Sequence, residues 1–260
     1  MEALFAVKIA ITMAVVVGLS LIAEHGSARL SGILAGFPHG VAIVLFFLGA
    51  GEGVDFATRA ATYTLAGLAA NVTFALAYWL GLRWLKSRDM PLAPLTGLAG
   101  FFLIAAVFSR LPLNAPAAAV LAAAAIAAAG WIMRREADVR IGKTVRTGWR
   151  EVLIRATAAA ATVVLITGMA RIIGPHWSGL LAGFPIVTFP FLVIIHAAYG
   201  KAPLLTILKA YPTGLGSLVV YALTVRYAFP ALGLGLGTAA GFAAAAAWLA
   251  AFQGLRTIRW

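Results

Sequence analysis

The chain has 260 residues, 63% of them hydrophobic and 11% charged, with a mean hydropathy of +0.98. That balance excludes a soluble globular domain. Apolar runs of about 20 residues recur from end to end, the length a helix needs to cross a bilayer. They are continuous rather than alternating, which excludes a β-barrel.

The formal net charge is +12, from 20 Lys and Arg against 8 Asp and Glu. In a soluble protein this excess would suggest nucleic acid. Here it fits basic cytoplasmic loops lying beside anionic lipid. No stacking aromatics interleave the basic run, so no nucleic-acid partner is expected. Cysteine is absent, which removes disulfides, thiolate metal sites and thiol catalysis.

Nine apolar spans are expected, near 5–23, 30–50, 57–82, 92–109, 115–133, 152–173, 178–198, 203–225 and 229–252. The first carries Lys8 and an apolar run to Ala23, as a signal peptide would. No small-x-small cleavage site follows, so it is read as a membrane helix. Span two holds Ser31-Gly-Ile-Leu-Ala-Gly-Phe-Pro38, and span seven repeats it as Ser178-Gly-Leu-Leu-Ala-Gly-Phe-Pro185. The offset is 147 residues (178 − 31), and only Ile33 changes, to Leu180. Such an ordered string marks an internal duplication, at a period far too long for a solenoid.

Spans one to four form one repeat, spans six to nine a second, and the Ala-rich fifth span joins them. An odd connecting helix makes the second unit enter from the opposite face, so the repeats are expected to be inverted. The expected fold is therefore an all-α polytopic membrane protein of about nine transmembrane helices, two inverted four-helix repeats joined by one connecting helix. Residues 1–114 form the first repeat, 115–150 the connecting helix with its basic loop, and 151–260 the second repeat. With the N-terminus outside, the inside loops hold thirteen Lys and Arg and the outside loops four (Arg59, Arg110, Arg171 and Arg226). That asymmetry predicts N-out and C-in. The basic loop 134–151 could also form an amphipathic surface helix. In span nine, Gly233, Gly237 and Gly241 give two GxxxG spacings, for packing within the chain or for a homodimer.

Chemistry is expected where the duplicated string breaks its helix. Pro38 and Pro185 remove a donor and clash with the preceding turn, which at membrane depth is tolerated only where protein or water satisfies the freed groups. Carbonyls near Leu34 and Leu181 would be released, and Pro190 would add a second break. Paired broken helices are the mark of a transport site at a repeat interface. The candidate solute-binding residues are Gly36, Phe37, Pro38 and His39 in the first copy, with Gly183, Phe184, Pro185 and Thr188 in the second. Half-helix N-termini beyond each break would offer amides to an anion. The alternative is two kinked helices that pack without a ligand.

Lys8 and Arg155, again 147 apart (155 − 8), and Lys209 lie within spans. Charges there are often functional, although long side chains near helix ends also snorkel. If functional, they argue for an anionic substrate. His39 follows the first proline and could carry a coupling proton; its other role would be to cap freed backbone. His196 is expected at the inner interface. Thr188, Tyr63, Asn71, Tyr211, Thr213 and Ser217 are polar groups within spans; most such hydroxyls should bond to their own helix, and some could line a path.

No P-loop, HExxH or GxSxG motif occurs, and no carboxylate pair falls at mid-membrane. No enzyme activity and no cofactor is expected. The function expected is a gradient-driven secondary transporter for a small or lipid-linked anion, with the lipid bilayer, that solute and a coupling proton or ion as partners. A passive channel and a non-transporting scaffold of an envelope enzyme complex are the alternatives.

The second repeat resembles the GlpM-like family of small bacterial inner-membrane proteins. The resemblance lies in Ser178-Gly-Leu-Leu-Ala-Gly-Phe-Pro185, in Phe191-Leu-Val-Ile-Ile-His196 with Gly200, and in the following helix through Tyr211 and Tyr221. It implies a bacterial inner-membrane location and two fused four-helix units, and adds no activity.

Overall fold

The computed structural model describes residues 2–25, 37–85, 89–136 and 148–257. The first copy of the duplicated string up to Gly36, and most of the basic loop that could form a surface helix, lie outside these residues. The described residues form helices and no strands. In chain order these are α1 (Glu2–His25), α2 (His39–Glu52), α3 (Val54–Trp84), α4 (Asp89–Phe108), α5 (Ala115–Met133), α6 (Trp149–Gly168), α7 (Ala170–Ala182), α8 (Thr188–Tyr199) and α9 (Lys201–Thr257). Four helices among them are long and apolar enough to cross a membrane: α3, α5, α6 and α9 as far as Phe252.

α9 bends back on itself at Gly233, whose φ of 75° is open to glycine at little cost. A Cβ on Gly237 would meet Phe229, and one on Gly241 would meet Tyr221 and Val225, so the second limb packs on the first. These GxxxG glycines thus serve a contact within the chain. The sequence reading placed this turn near 226–228. The chain continues helical through Pro230 and turns where a residue can take the left-handed conformation.

The elements recur at the duplication offset. Gly53 ends α2 with φ 96°, and Gly200 ends α8 with φ 76°, a spacing of 147 (200 − 53). Each is followed directly by a long helix, α3 in one case and the first limb of α9 in the other. α5 stands outside this pattern. It lays Ala118, Ala122, Ala129 and Met133 into the core and leaves much of its remaining surface exposed. In lipid no hydrophobic force gathers helices, so close packing of small residues does that work.

α3 is the central element, in contact with α2, α4, α5, α7 and α9. Its crossing with α7 is made by glycine. A Cβ on Gly67 would strike the Leu180 carbonyl, one on Gly179 the Ala60 carbonyl, and one on Gly183 the Gly67 backbone. The start of α1 lies beside the end of α6, where Lys8 Nζ donates to Thr167 Oγ1 at 3.0 Å.

Two faces can be told apart by their carboxylates. On one, Arg171 pairs with Glu52 at 2.8 Å. On the other, Glu136 accepts from Arg83 at 2.6 Å and from Trp79 Nε1 at 2.8 Å, while its backbone carbonyl accepts from Lys209 Nζ at 2.7 Å. Trp84, Trp131 and Trp149 are exposed near this Glu136 face, where indoles suit a membrane interface.

Candidate functional site: two proline breaks around one cavity

The break in the second half lies between α7 and α8. Its amides are re-paired locally: Phe184 donates to Leu181 O at 3.0 Å, Ile186 to Phe184 O at 2.7 Å and Phe189 to Pro185 O at 2.7 Å. In the first half, His39 donates to Phe37 O at 2.9 Å and Ala42 to Pro38 O at 2.9 Å. Moving these last two bonds along the chain by 147 residues gives the Ile186 and Phe189 bonds of the other break (39 + 147 and 42 + 147). Each proline therefore sits at the centre of a three-residue turn; the Pro38 carbonyl starts α2, whereas Pro185 O accepts from Phe189 N ahead of the ladder of α8, which begins at Thr188. Pro38 has φ −80° and ψ 36°, close to an inverse γ-turn.

These bonds correct the expected source of free backbone. Leu181 O is occupied by Phe184, and a carbonyl of the break taken up by another helix is Gly183 O. Asn71 Nδ2, from the middle of α3, donates to it at 2.8 Å. Tyr211 Oη from α9 donates in turn to Asn71 Oδ1 at 2.8 Å, and Thr188 also bonds the Tyr211 hydroxyl. One amide thus ties together α3, the α7–α8 break and α9. Pro190 lies in the first turn of α8, and having no N–H it cannot extend the Phe189–Pro185 bond to Ile186 O, so the helix begins at Thr188.

Both breaks line a single cavity of about 70 Å³. Phe37, Pro38 and His39 enter it from the first half, and Phe184, Pro185 and Thr188 from the second. Its walls also include Gly40 and Val41 from the first turn of α2 and Val187 at the N-terminus of α8. First-turn amides of a helix lack intrahelical acceptors, and the helix dipole adds positive potential there. Two such termini meet at this cavity. Asn71 and Tyr211 complete the polar lining. The volume suits a small inorganic anion or a few water molecules.

Each break phenylalanine is held by a helix of the other half. Phe37 stacks on Phe242 of α9 at 5.1 Å between ring centroids, and Phe184 meets Phe101 of α4 edge-on at 5.0 Å. His39 Nδ1 is buried and makes no hydrogen bond among the described residues. Arg155 lies close enough to act electrostatically on His39, and its guanidinium stands 5.1 Å over the Phe191 ring.

Of the sequence-based candidates, Phe37, Pro38, His39, Phe184, Pro185 and Thr188 come together at the cavity. Gly183 supplies the carbonyl held by Asn71. Gly36 lies outside the described residues. Lys8 and Lys209 do not line the cavity. Lys8 is at the Glu52 face with Thr167, and Lys209 is at the Glu136 face on the Glu136 carbonyl. Both long side chains end beside polar partners at helix ends, as snorkelling predicts. His196 lies in the last turn of α8, where it is 4% exposed and its Nδ1 stands 3.2 Å from Tyr78 Oη. Asn71 and Tyr211 are polar groups within spans that line the cavity rather than bond to their own helix. The usable signal was a carboxamide in the middle of an otherwise apolar span.

No protein-family model, characterised protein or solved structure matches this chain.

Proposed function

We propose that this protein is a secondary transporter of the bacterial inner membrane that binds a small anion where the two Phe-Pro breaks meet. The observation that carries this reading is the shared cavity, with one break and one helix N-terminus contributed by each half. Partly buried helix termini favour an anion by up to about 2 kcal/mol each. Phosphate and carboxylate groups are therefore the solute class, free or lipid-linked.

The architecture proposed is two inverted four-helix repeats with α5 between them, N-terminus outside and C-terminus in the cytoplasm. Its supports are the offset of 147 between Gly53 and Gly200, the matching hydrogen bonds at the two breaks, and the bias of basic loops toward one face. α7 and α8 together make one crossing, as do the two limbs of α9 one each. The Glu52 face is then outside. Rocking of one half against the other would open the cavity to each side in turn. His39, with a buried nitrogen at the cavity, is the candidate for carrying a coupling proton.

Counterflow in liposomes tests this. Vesicles loaded with unlabelled inorganic phosphate or succinate should transiently accumulate the labelled anion, and Asn71→Ala should abolish the overshoot. A passive channel gives flux without overshoot. No flux of either anion, or an overshoot indifferent to Asn71→Ala, contradicts the proposal.

A further inference from the structure

A second and larger cavity, of about 400 Å³, opens at the Glu52 face. It lies between the start of α3, the α4–α5 junction, α7 and the end of the first limb of α9. Its charged walls are Arg59 and Arg226, with His176 between them in the lining, and no carboxylate lines it. Arg226 is anchored, since its Nε donates to Thr62 Oγ1 at 2.9 Å and its guanidinium lies 5.5 Å over Tyr227. The Nη groups of Arg226 and the whole Arg59 guanidinium make no hydrogen bond among the described residues. His176 stacks on Tyr63 at 3.9 Å, and Tyr63 is fixed by its hydroxyl bond to Leu111 O at 2.9 Å. Asn114 caps α5 through Ala117 N at 2.9 Å, so the N-terminus of a 19-residue helix also faces this space.

Two guanidinium groups, an imidazole and a helix N-terminus converge without a compensating acid. A planar fork of N–H donors fits a phosphate or carboxylate better than it fits any other common ligand group. We propose that this cavity is a binding site for an oxyanion group, phosphate or carboxylate, separate from the cavity between the breaks. Its place in the fold also relates it to that cavity. Tyr63, Gly67 and Asn71 are spaced by four along α3, which puts them on one helix face. Tyr63 lines the outer cavity and Asn71 the inner one, about 12 Å further along the helix axis. Gly67, between them, is where α3 and α7 touch backbone to backbone. The outer site thus captures the anion in front of a closed helix crossing. Oxyanion binding here does not depend on transport through the breaks.

The oxyanion could be a dissolved anion or a lipid headgroup, and one experiment separates them. The full chain is placed in nanodiscs of phosphatidylcholine, with and without phosphatidylglycerol, and titrated calorimetrically with inorganic phosphate and with succinate. Lipid retained by the protein is identified by native mass spectrometry. Binding of either soluble anion, weakened about tenfold by Arg59→Gln and again by Arg226→Gln, supports a dissolved ligand. Selective retention of phosphatidylglycerol, lost in the same variants, supports a headgroup. Arg59 and His176 are exposed, so Arg59→Gln and His176→Gln should fold even where loss of the Arg226–Thr62 bond does not permit it. Asn71→Ala should leave this binding intact, which separates the outer site from the inner one. Absence of both kinds of binding, or binding indifferent to Arg59 and His176, overturns the proposal.

Discussion

Gly40 and Val187, 147 residues apart (187 − 40), meet across the inner cavity: a Cβ on Gly40 would stand 4.0 Å from Val187 Cγ2. Each residue follows its own break proline by two positions. In a pseudo-twofold arrangement only positions near the axis lie next to their own counterparts. This contact therefore puts the axis of the proposed duplication through the cavity, between the two helix N-termini.

The Asn71 amide links the halves through two hydrogen bonds, to Gly183 O and from Tyr211 Oη. Removing it strands Gly183 O and frees Tyr211 Oη, which in a fully buried site would cost about 1–3 kcal/mol. Polar contacts between membrane helices measure lower, nearer 0.6 kcal/mol with a maximum of about 1.7. Because one side chain serves both partners, Asn71→Ala should cost about 1–2 kcal/mol, read as denaturant or thermal stability in detergent. Tyr211→Phe should cost less, since Asn71 keeps its bond to Gly183. Equal stability of wild type and Asn71→Ala would contradict the assigned bond.

Glycines on α3 and α7 should behave unlike glycines elsewhere. Gly67→Ala and Gly179→Ala drive a methyl into opposing backbone, where nothing can rotate away, and overpacking of this kind costs about 1–3 kcal/mol. Gly130→Ala in α5 meets nothing within 4 Å, and helix propensity then favours alanine by up to about 1 kcal/mol. Thermal stability of the three variants in one detergent checks the contrast. The sign should reverse between Gly130 and the other two.

The three cations within spans should also separate. Lys8→Met and Lys209→Met remove contacts at opposite faces and should leave anion binding at the inner cavity within about twofold. Arg155→Gln removes a charge that acts on His39 beside that cavity and should weaken inner-site binding about tenfold. Calorimetry with inorganic phosphate in the Arg59→Gln background, where the outer site is weakened, checks this.

The duplicated string was legible because Ser-Gly, Gly-Phe and Pro in fixed order are uncommon in a chain of Ala, Leu and Gly. Its breaks were legible because proline removes a backbone donor and clashes with the preceding turn. Where the freed carbonyl would lie was not. The expectation assumed one missing bond a turn before Pro185, but the chain unwinds through 183–187 and re-pairs Leu181 O with Phe184 N. Asn71 and Gly183 are 112 residues apart, and no local pattern joins them. The Gly233 turn was placed too early because the charged Arg226 resembles a loop residue, whereas the left-handed φ at Gly233 is what turns the chain. Lys8 and Lys209 stood between a functional role and snorkelling, because charge within a span is costly but long side chains reach helix ends. Their length lets the ammonium group reach a helix end, and sequence position does not record that reach.

The central claim is that the two breaks face each other. The chain has no cysteine, so a pair introduced at Gly40→Cys and Val187→Cys reports on that contact alone. A protease site inserted in the basic stretch 137–147 allows the halves to be cut apart after oxidation with copper phenanthroline or bridging with a short bifunctional thiosulfonate. Facing breaks predict that the cleaved halves stay joined on a non-reducing gel and separate on reduction, while each single-cysteine chain separates under both conditions. Halves that come apart without reductant in the double variant, under either reagent, would contradict the account.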